Sequence, residues 1–558
     1  MASKETIRKY ALQNALKFGK AQAGSIIGKL FAEDPSLKEK AKELMKDINK
    51  VISEVNTLSE DEIKNELSEV APEMLEKKKK EKHMAELPNA VMGKVVTRIP
   101  PEPSKYTHIG HGLSFLLNYI YAKKYDGKCI LRFEDTNPTA CSQEYVDAML
   151  FDIQDYLAIK PDKIVYVSDD MDTMYKYAVS LVEHGQAYVC FCAREVMQDN
   201  RHKGKECKCR AKSKAENMKA WKDMLAKKYE EGACSLRLKL DMEAENQVLR
   251  DPVMFRISLD KHYRHGDKYI VWPMYDFENA VEDDLCSVTH ILRSNEFGDM
   301  RVELQEKLKE MLGLKKQTMV QYGRFTIIGA VAQGREIRKL IEEGKVSGWD
   351  DPSLVTLKAL RRRGFVKEAL YTLAEDVGLS PSPTNIDWKT LAAFNRKIID
   401  PLAHRYFFIR DLKEIKVEKA PSQEIELDLH PDNKKGGRKF SVKDNFYISE
   451  KDFEQFKDGK LYRLMDCLNF VYKKGKFIFD SLEYENYKKD GDKIIHWLPK
   501  EKLVSVEIRM PDNQVFEGLG ENALKDAKID EVVQLARFGF CRLDAKKKDK
   551  LTFWFTHE

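Results

Sequence analysis

The chain has 558 residues, 42% of them hydrophobic and 10% aromatic, which is enough for three or four folded domains and too long for one ordinary core. Charged residues reach 34% but nearly cancel to a formal net charge of +5, so a nucleic-acid partner has to be met by local basic patches rather than by attraction of the whole molecule. No apolar run nears the roughly 18 residues that span a bilayer and the N-terminus lacks a signal-peptide core, which excludes a membrane role and points to a soluble cytoplasmic protein whose ten cysteines are thiols or metal ligands ahead of disulfides.

Residues 1 to about 70 repeat apolar side chains at helical spacing (Leu12, Leu16, Ile26, Ile27 and Leu30, then Leu37, Leu44, Ile48, Val51 and Ile52), so residues 1–90 are expected to be a helical appendage with a linker. Lys77-Lys78-Lys79-Lys80 lies in a charge run without apolar period, which reads as a solvated linker, with an RNA-contacting arm as the lesser alternative.

Val91 to Thr97 reads as a short buried strand, and the prolines at 100, 101 and 103 forbid helix after it. Ser104 and Gly110 mark a turn, and Leu113, Leu116, Leu117 and Ile120 then recur as a helix that stops near Asp126-Gly127. A helix that starts just after a turn aims unpaired N–H groups at whatever occupies it, so His108 and His111 stand where phosphate would be favoured; taken alone, they could equally be surface or core histidines. Strands at Cys129–Phe133 and Lys163–Val167 alternate with helices at Tyr145–Tyr156 and Thr173–His184, which predicts a doubly wound parallel sheet with its ligand at the carboxyl ends of the strands.

Cys190-Phe191-Cys192 and Cys207-Lys208-Cys209 are two close thiol pairs separated by a loop of fourteen residues, a pattern suited to structural tetrahedral zinc; the alternative is four ordinary thiols. A helix over 211–232 and strands at Ala233–Leu240, Val253–Leu259 and Lys268–Trp272 make about 188–270 an insertion within a nucleotide-binding domain at 91–300. Residues 301–400 read as a helical stem, and short strands between turn clusters make 401–558 all-β.

Arg98, Pro100-Pro101-Glu102-Pro103-Ser104, His108-Ile109-Gly110-His111 and Leu131-Arg132-Phe133-Glu134-Asp135-Thr136-Asn137-Pro138 together resemble the nucleotide-binding signature of class I aminoacyl-tRNA synthetases, glutamyl/glutaminyl branch. The all-β C-terminal part is similar to the archaeal type. The resemblance implies a Rossmann-type catalytic domain whose insertion receives the tRNA acceptor end, and C-terminal β-barrels that hold the anticodon. It also implies an RNA-facing stem with Arg361-Arg362-Arg363 beside Ser347–Pro352. Protein partners through the N-terminal helices are a further expectation.

Such an enzyme joins glutamate to tRNA with ATP and Mg2+, through a glutamyl-adenylate. His108 and His111 would take the phosphates and Gly110 would allow close approach of the nucleotide; Glu134 would take the α-amino group and Tyr275 would line the side-chain pocket. A dicarboxylic substrate needs one cation for each carboxylate, and Arg98 and Arg293 can each bind one bidentately. Arg293 favours glutamate, whereas Asn295-Glu296-Phe297 and Thr136-Asn137-Pro138 are the features behind the glutaminyl alternative; tRNA for glutamine is a second possible acceptor.

The family's second signature carries a lysine that meets departing pyrophosphate. The corresponding stretch, Gly329 to Arg338, has Gly334 at that position and Glu336 at the next basic one, and Lys105 stands where a glycine is usual. Arg335 is expected to take the lysine's part, with Arg338 as the second choice. The other reading is a tRNA-binding relative that has lost its chemistry.

Overall fold

The computed structural model describes residues 4–33, 37, 41–71, 84–331, 333–548 and 550–558, so the lysine run Lys77 to Lys80 lies outside the described residues. The chain divides into two compact units, Met1–His83 and Met84–Glu558. The first contains α1 (Lys4–Phe18), α2 (Ala23–Glu33), α3 (Ala41–Val55) and α4 (Glu60–Val70). Helix α3 buries Leu44, Ile48, Val51 and Val55, the three- and four-residue spacing of one helix face. They meet Leu12, Ile26 and Leu67 from the other three helices in a core of their own. Ser59 closes the start of α4 in a capping box with Glu62.

The second unit opens with a parallel sheet of β1 (Val96–Ile99), β2 (Lys128–Phe133) and β3 (Lys163–Tyr166), crossed over by α5 (Ile109–Lys124) and α6 (Gln143–Leu150) and followed by α7 (Met171–Glu183). The first strand starts five residues later than its apolar lead-in suggests. Gly93, at φ 74°, turns the chain there with its N–H on the Tyr125 carbonyl, which leaves Val91 and Met92 exposed.

An antiparallel sheet interrupts the parallel pattern: β4 (Ala187–Cys190), β5 (Ser235–Leu238), β6 (Val253–Ile257) and β7 (Val271–Pro273), with α8 (Arg194–Lys203) and α9 (Lys214–Leu225) in the first connection. The run from Lys268 to Ile270 is loop, and only its end pairs, through Val271 and Trp272. After α10 (Tyr275–Leu285), the chain rejoins the parallel sheet through β8 (His290–Ser294), α11 (Gly298–Leu312) and β9 (Thr318–Tyr322). The Thr289 N–H donates to the Val96 carbonyl at 2.9 Å, placing β8 on the side of β1 away from β2. That parallel, doubly wound arrangement is the one expected from the alternation of strands and helices.

Next come β10 (Phe325–Ile327), α12 (Gly334–Glu342), α13 (Leu357–Arg362), α14 (Lys367–Val377), β11 (Thr384–Ile386) and α15 (Trp388–Ile399). Two seven-stranded sheets and a two-stranded hairpin, Gln423–His430 with Asn433–Val442, complete the chain. In one, the edge strands Arg405–Tyr406 and Phe408–Ile409 are separated by a single residue; in the other, Gly491–Ile495 and Leu498–Pro499 are separated by two. Each sheet therefore curls until its edges nearly meet, forming a near-closed barrel. No helix among the described residues is long and apolar enough to cross a membrane.

The triple arginine does not form a free basic face. Arg362 is bidentate to Asp544 at 2.9 and 2.8 Å and also reaches Asp350 at 2.8 Å. Arg363 is buried and donates to the carbonyls of Pro352, Phe555 and Thr556. Successive residues on a helix point in different directions, so a charge run need not share one surface. Here two of the three join α13 to the last strands of the chain.

Candidate active site

At the carboxyl end of β1 the prolines carry the chain out of the sheet, and it returns beside a second segment. The Leu357 N–H donates to the Thr107 carbonyl at 3.0 Å, and the Ile109 N–H donates to the Val355 carbonyl at 2.9 Å. His108 then caps α5, its Nδ1 accepting from the Gly110 N–H at 3.1 Å, while His111 Nδ1 accepts from the His108 N–H at 3.3 Å. The two rings stack with centroids 3.8 Å apart. A Cβ at position 110 would lie 2.9 Å from His108 Cε1, so glycine is what lets the first imidazole fold back over its own turn.

Because each Nδ1 is an acceptor, the proton of each neutral ring sits on Nε2. Burial pushes His108 down to about 4, helped by the charges of Lys105 and Arg324. It pushes His111 well below its ordinary value, helped by His108 and Lys105. Near neutral pH the pair offers two N–H donors and no positive charge.

A cleft of about 1260 Å³ opens over this turn, and His108, Gly110, His111, Arg98, Glu134, Tyr275, Arg293 and Arg335 all line it. The residues singled out from the sequence, 195 positions apart at their extremes for the substrate set, are brought to one place. Arg98 is 1% exposed, and its Nε donates to Asp283 at 3.3 Å and its Nη1 to the Leu292 carbonyl at 3.4 Å, so two of its five N–H groups are engaged in the core. A cation on a strand flanked on both sides must cross the core, and it needs an anion there.

Asp283 is that anion, and it is shared. Its Oδ1 also accepts from Arg132 Nη1 at 2.8 Å, while Arg132 Nη2 donates to Glu134 Oε1 at 2.9 Å and Lys309 Nζ stands 4.0 Å from Asp283 Oδ2. Burial alone would raise Asp283; Arg132, Arg98 and Lys309 reverse this and hold it below the usual carboxylate range. Glu134, also receiving Asn279 Nδ2 at 2.5 Å, is held above that range because burial outweighs Arg132 and Arg98. Arg132, Asn279 and Asp283 were not singled out beforehand, although Asn279 and Asp283, four residues apart, necessarily share one face of α10.

Arg293 is 4% exposed. Its Nη1 donates to Gln305 Oε1 at 2.9 Å, and its buried Nε and Nη2 have no partner. Gln305 is itself steered by Asp276 at 3.1 Å, whose other oxygen holds Arg301 at 2.7 Å. Tyr275 stacks on Phe297 with centroids 5.4 Å apart, and the Arg293 guanidinium lies 5.5 Å from that Phe297 ring. A buried guanidinium with two unpaired N–H groups and no carboxylate partner among the described residues is built for an anionic ligand.

The start of α12, at Gly334, lines the same cleft. Arg335 lines the cleft; Arg338 does not, and its Nη2 instead donates to the Ser104 carbonyl at 2.5 Å. Lys105 and Arg324 line it as well, Arg324 paired with Glu296 at 2.8 Å.

Away from the cleft, the ligand atoms of Cys190, Cys192, Cys207 and Cys209 lie within 4.8 Å of one another. The Cys190–Cys207 sulfurs are 3.8 Å apart and those of Cys192 and Cys209 4.0 Å. About 3.8 Å is the edge of a tetrahedron with metal–sulfur bonds of about 2.3 Å, the zinc value. The Phe191 N–H points at the Cys209 sulfur (3.4 Å) and Arg237 Nη1 at that of Cys190 (3.7 Å), contacts that suit thiolates.

The chain matches known proteins along its length. The catalytic domain of the class I tRNA synthetases "E and Q" matches residues 94–401, and two anticodon-binding domains of the same group match 403–485 and 494–544. The glutamate–tRNA ligase of Pyrococcus abyssi is 40% identical over 567 residues, covering 99% of each chain. Those of Pyrococcus horikoshii and Methanocaldococcus jannaschii are 41% and 38% identical, each match covering 99% of this chain and 99% and 100% of the relative.

Proposed function

Since the chain belongs to the class I tRNA synthetases of the glutamate and glutamine branch, we propose that it is a cytoplasmic ligase that joins glutamate to tRNA at the expense of ATP. The observation that carries glutamate as the substrate is Arg293, a buried cation with two unpaired N–H groups in the cleft that also holds the paired histidines. Glutamine would offer it an amide and leave a buried charge uncompensated, at a cost of several kcal/mol by the usual scale of such losses, about 2–5.

In this reading a glutamate α-carboxylate oxygen attacks the α-phosphorus of Mg–ATP. The bond to the bridging oxygen breaks and pyrophosphate departs with the electron pair. A hydroxyl of the terminal tRNA ribose then attacks the mixed anhydride and displaces AMP. The protein forms no covalent bond, so catalysis consists of positioning and charge stabilisation. Nε2–H of His108 and His111 donates to phosphate oxygens from fixed tautomers. Glu134, with Asn279 and Arg132 holding it, receives the substrate ammonium, and Tyr275 forms the wall of the side-chain pocket. Arg98, steadied through its Nε by Asp283, presents its positive charge to a substrate carboxylate, and Arg335 faces the phosphates.

ATP–pyrophosphate exchange tests the assignment. Glutamate is expected to support exchange with tRNA present and glutamine is not; no exchange with either amino acid, with or without tRNA, would leave a tRNA-binding protein without chemistry. Charging assays with tRNA for glutamate and for glutamine then decide the acceptor range.

The four cysteines fit structural zinc, which would tie β4 to the loop before α9 and supply no chemistry, because four protein sulfurs leave no open position. Elemental analysis is expected to find about one zinc per chain, lost on Cys190→Ser with Cys207→Ser. Metal content that survives this double change would remove the site.

A further inference from the structure

Lys105 lies on the stretch that leads into the histidine turn, and its stem crosses directly over Gly334 at the start of α12. A Cβ built on Gly334 would lie 2.9 Å from Lys105 Cδ and 3.4 Å from its Cβ. Positions 105 and 334 therefore compete for the same space, and a side chain at 334 would displace the lysine. The backbone beside it is tied down, since the Ser104 carbonyl accepts from Arg338 one turn further along α12. Both residues line the cleft.

The Lys105 charge acts on both His108 and His111. Arg324 is paired with Glu296, Arg98 donates to the shared Asp283, and Arg338 is spent on a carbonyl. Among the described residues no carboxylate pairs with Lys105. With the imidazoles neutral, the histidine side of the cleft has donors for a triphosphate but needs a cation for its charge, and the N-terminus of α12 adds its own favourable field at the same wall.

We propose that Lys105 is a catalytic residue that meets the phosphates of ATP and the departing pyrophosphate from the histidine side of the cleft, over the gap that Gly334 leaves open. It transfers no proton: as the bond between the α-phosphorus and the bridging oxygen breaks, the electron pair goes to the pyrophosphate, and the ammonium offsets that charge. Lysine at 105 and glycine at 334 are on this account an exchanged pair, the cation having moved from the helix to the facing turn. The inference rests on the ligase reading and adds to it a residue and a direction of approach.

The test is exchange at saturating glutamate with tRNA present, on four variants. Lys105→Met keeps the stem over Gly334 and removes only the charge. It is expected to lower the exchange rate by about tenfold or more while the KM for glutamate stays within about twofold and the melting temperature holds. Lys105→Arg is expected to retain more than about a third of the rate. Lys105→Gly should fall with Lys105→Met, and adding Gly334→Lys to it should restore about tenfold by returning the cation from the facing helix position. A Lys105→Met rate within about threefold of the parent would overturn the proposal. So would Lys105→Arg and the exchanged pair both falling as low as Lys105→Met, since the lysine would then be packing and not charge. A parent protein without exchange would refute the ligase reading itself, a result distinct from either.

Discussion

Asp283→Ala is expected to destabilise the second unit by about 3–5 kcal/mol, the usual cost of removing one partner from a buried ionic cluster. The carboxylate is fully buried and serves three cations: Arg98 at 3.3 Å, Arg132 at 2.8 Å and Lys309 at 4.0 Å. Without it, three positive groups would remain inside the fold, with Arg98 left without another acid, whereas Arg132 keeps Glu134 and Lys309 keeps Glu306 at 3.9 Å. Urea unfolding followed by tryptophan fluorescence gives the loss from the shift of the midpoint at constant slope. Lys309→Met in the same background should recover part of it, since one of the stranded charges is then gone. A loss below about 1 kcal/mol would mean that the cations are accommodated by water rather than by the aspartate.

Arg293→Ala carries the second large effect, on activity rather than folding. The free protein is expected to keep its stability or gain slightly, because burial opposes this guanidinium and its only hydrogen bond is to the neutral Gln305. In glutamate-dependent exchange kcat/KM should drop by about 10²–10³, or about 3–4 kcal/mol, as the side-chain carboxylate would enter a closed pocket without a counter-charge. The KM for ATP should barely move. A drop of less than about tenfold would show that the distal carboxylate is read by some other group.

What could be read from the chain beforehand divides along the range of the interactions. The histidine turn, the parallel strands and the thiol pairs are local: their signals lie in spacings of two to four residues, and the structure has each within a few residues of its expected place. Arg293, Tyr275 and Glu134 were legible only as motif positions, and the cleft unites them. Asp283, Arg132 and Lys309 could not be found in this way, since a charge cluster that joins residues as far apart as 98 and 283 leaves no period, and a buried acid looks like a surface one in a helix already rich in acids. The far partners of Arg362 and Arg363 were hidden for a similar reason: Asp544, Phe555 and Thr556 lie 182 to 193 positions away. The contact between Lys105 and Gly334 was likewise invisible, although both residues stood out individually.

The two ends of α13 are worth following. At its start, the Leu357 N–H holds the Thr107 carbonyl next to His108; at its finish, Arg363 grips the carbonyls of the last strand, while the Thr556 hydroxyl donates back to Arg363. Six helical residues amount to about 9 Å of rigid rod. The histidine turn and the terminal barrel are thereby bonded to opposite ends of one short rod, so a shift of the barrel that leaves those bonds intact is passed to the backbone beside His108.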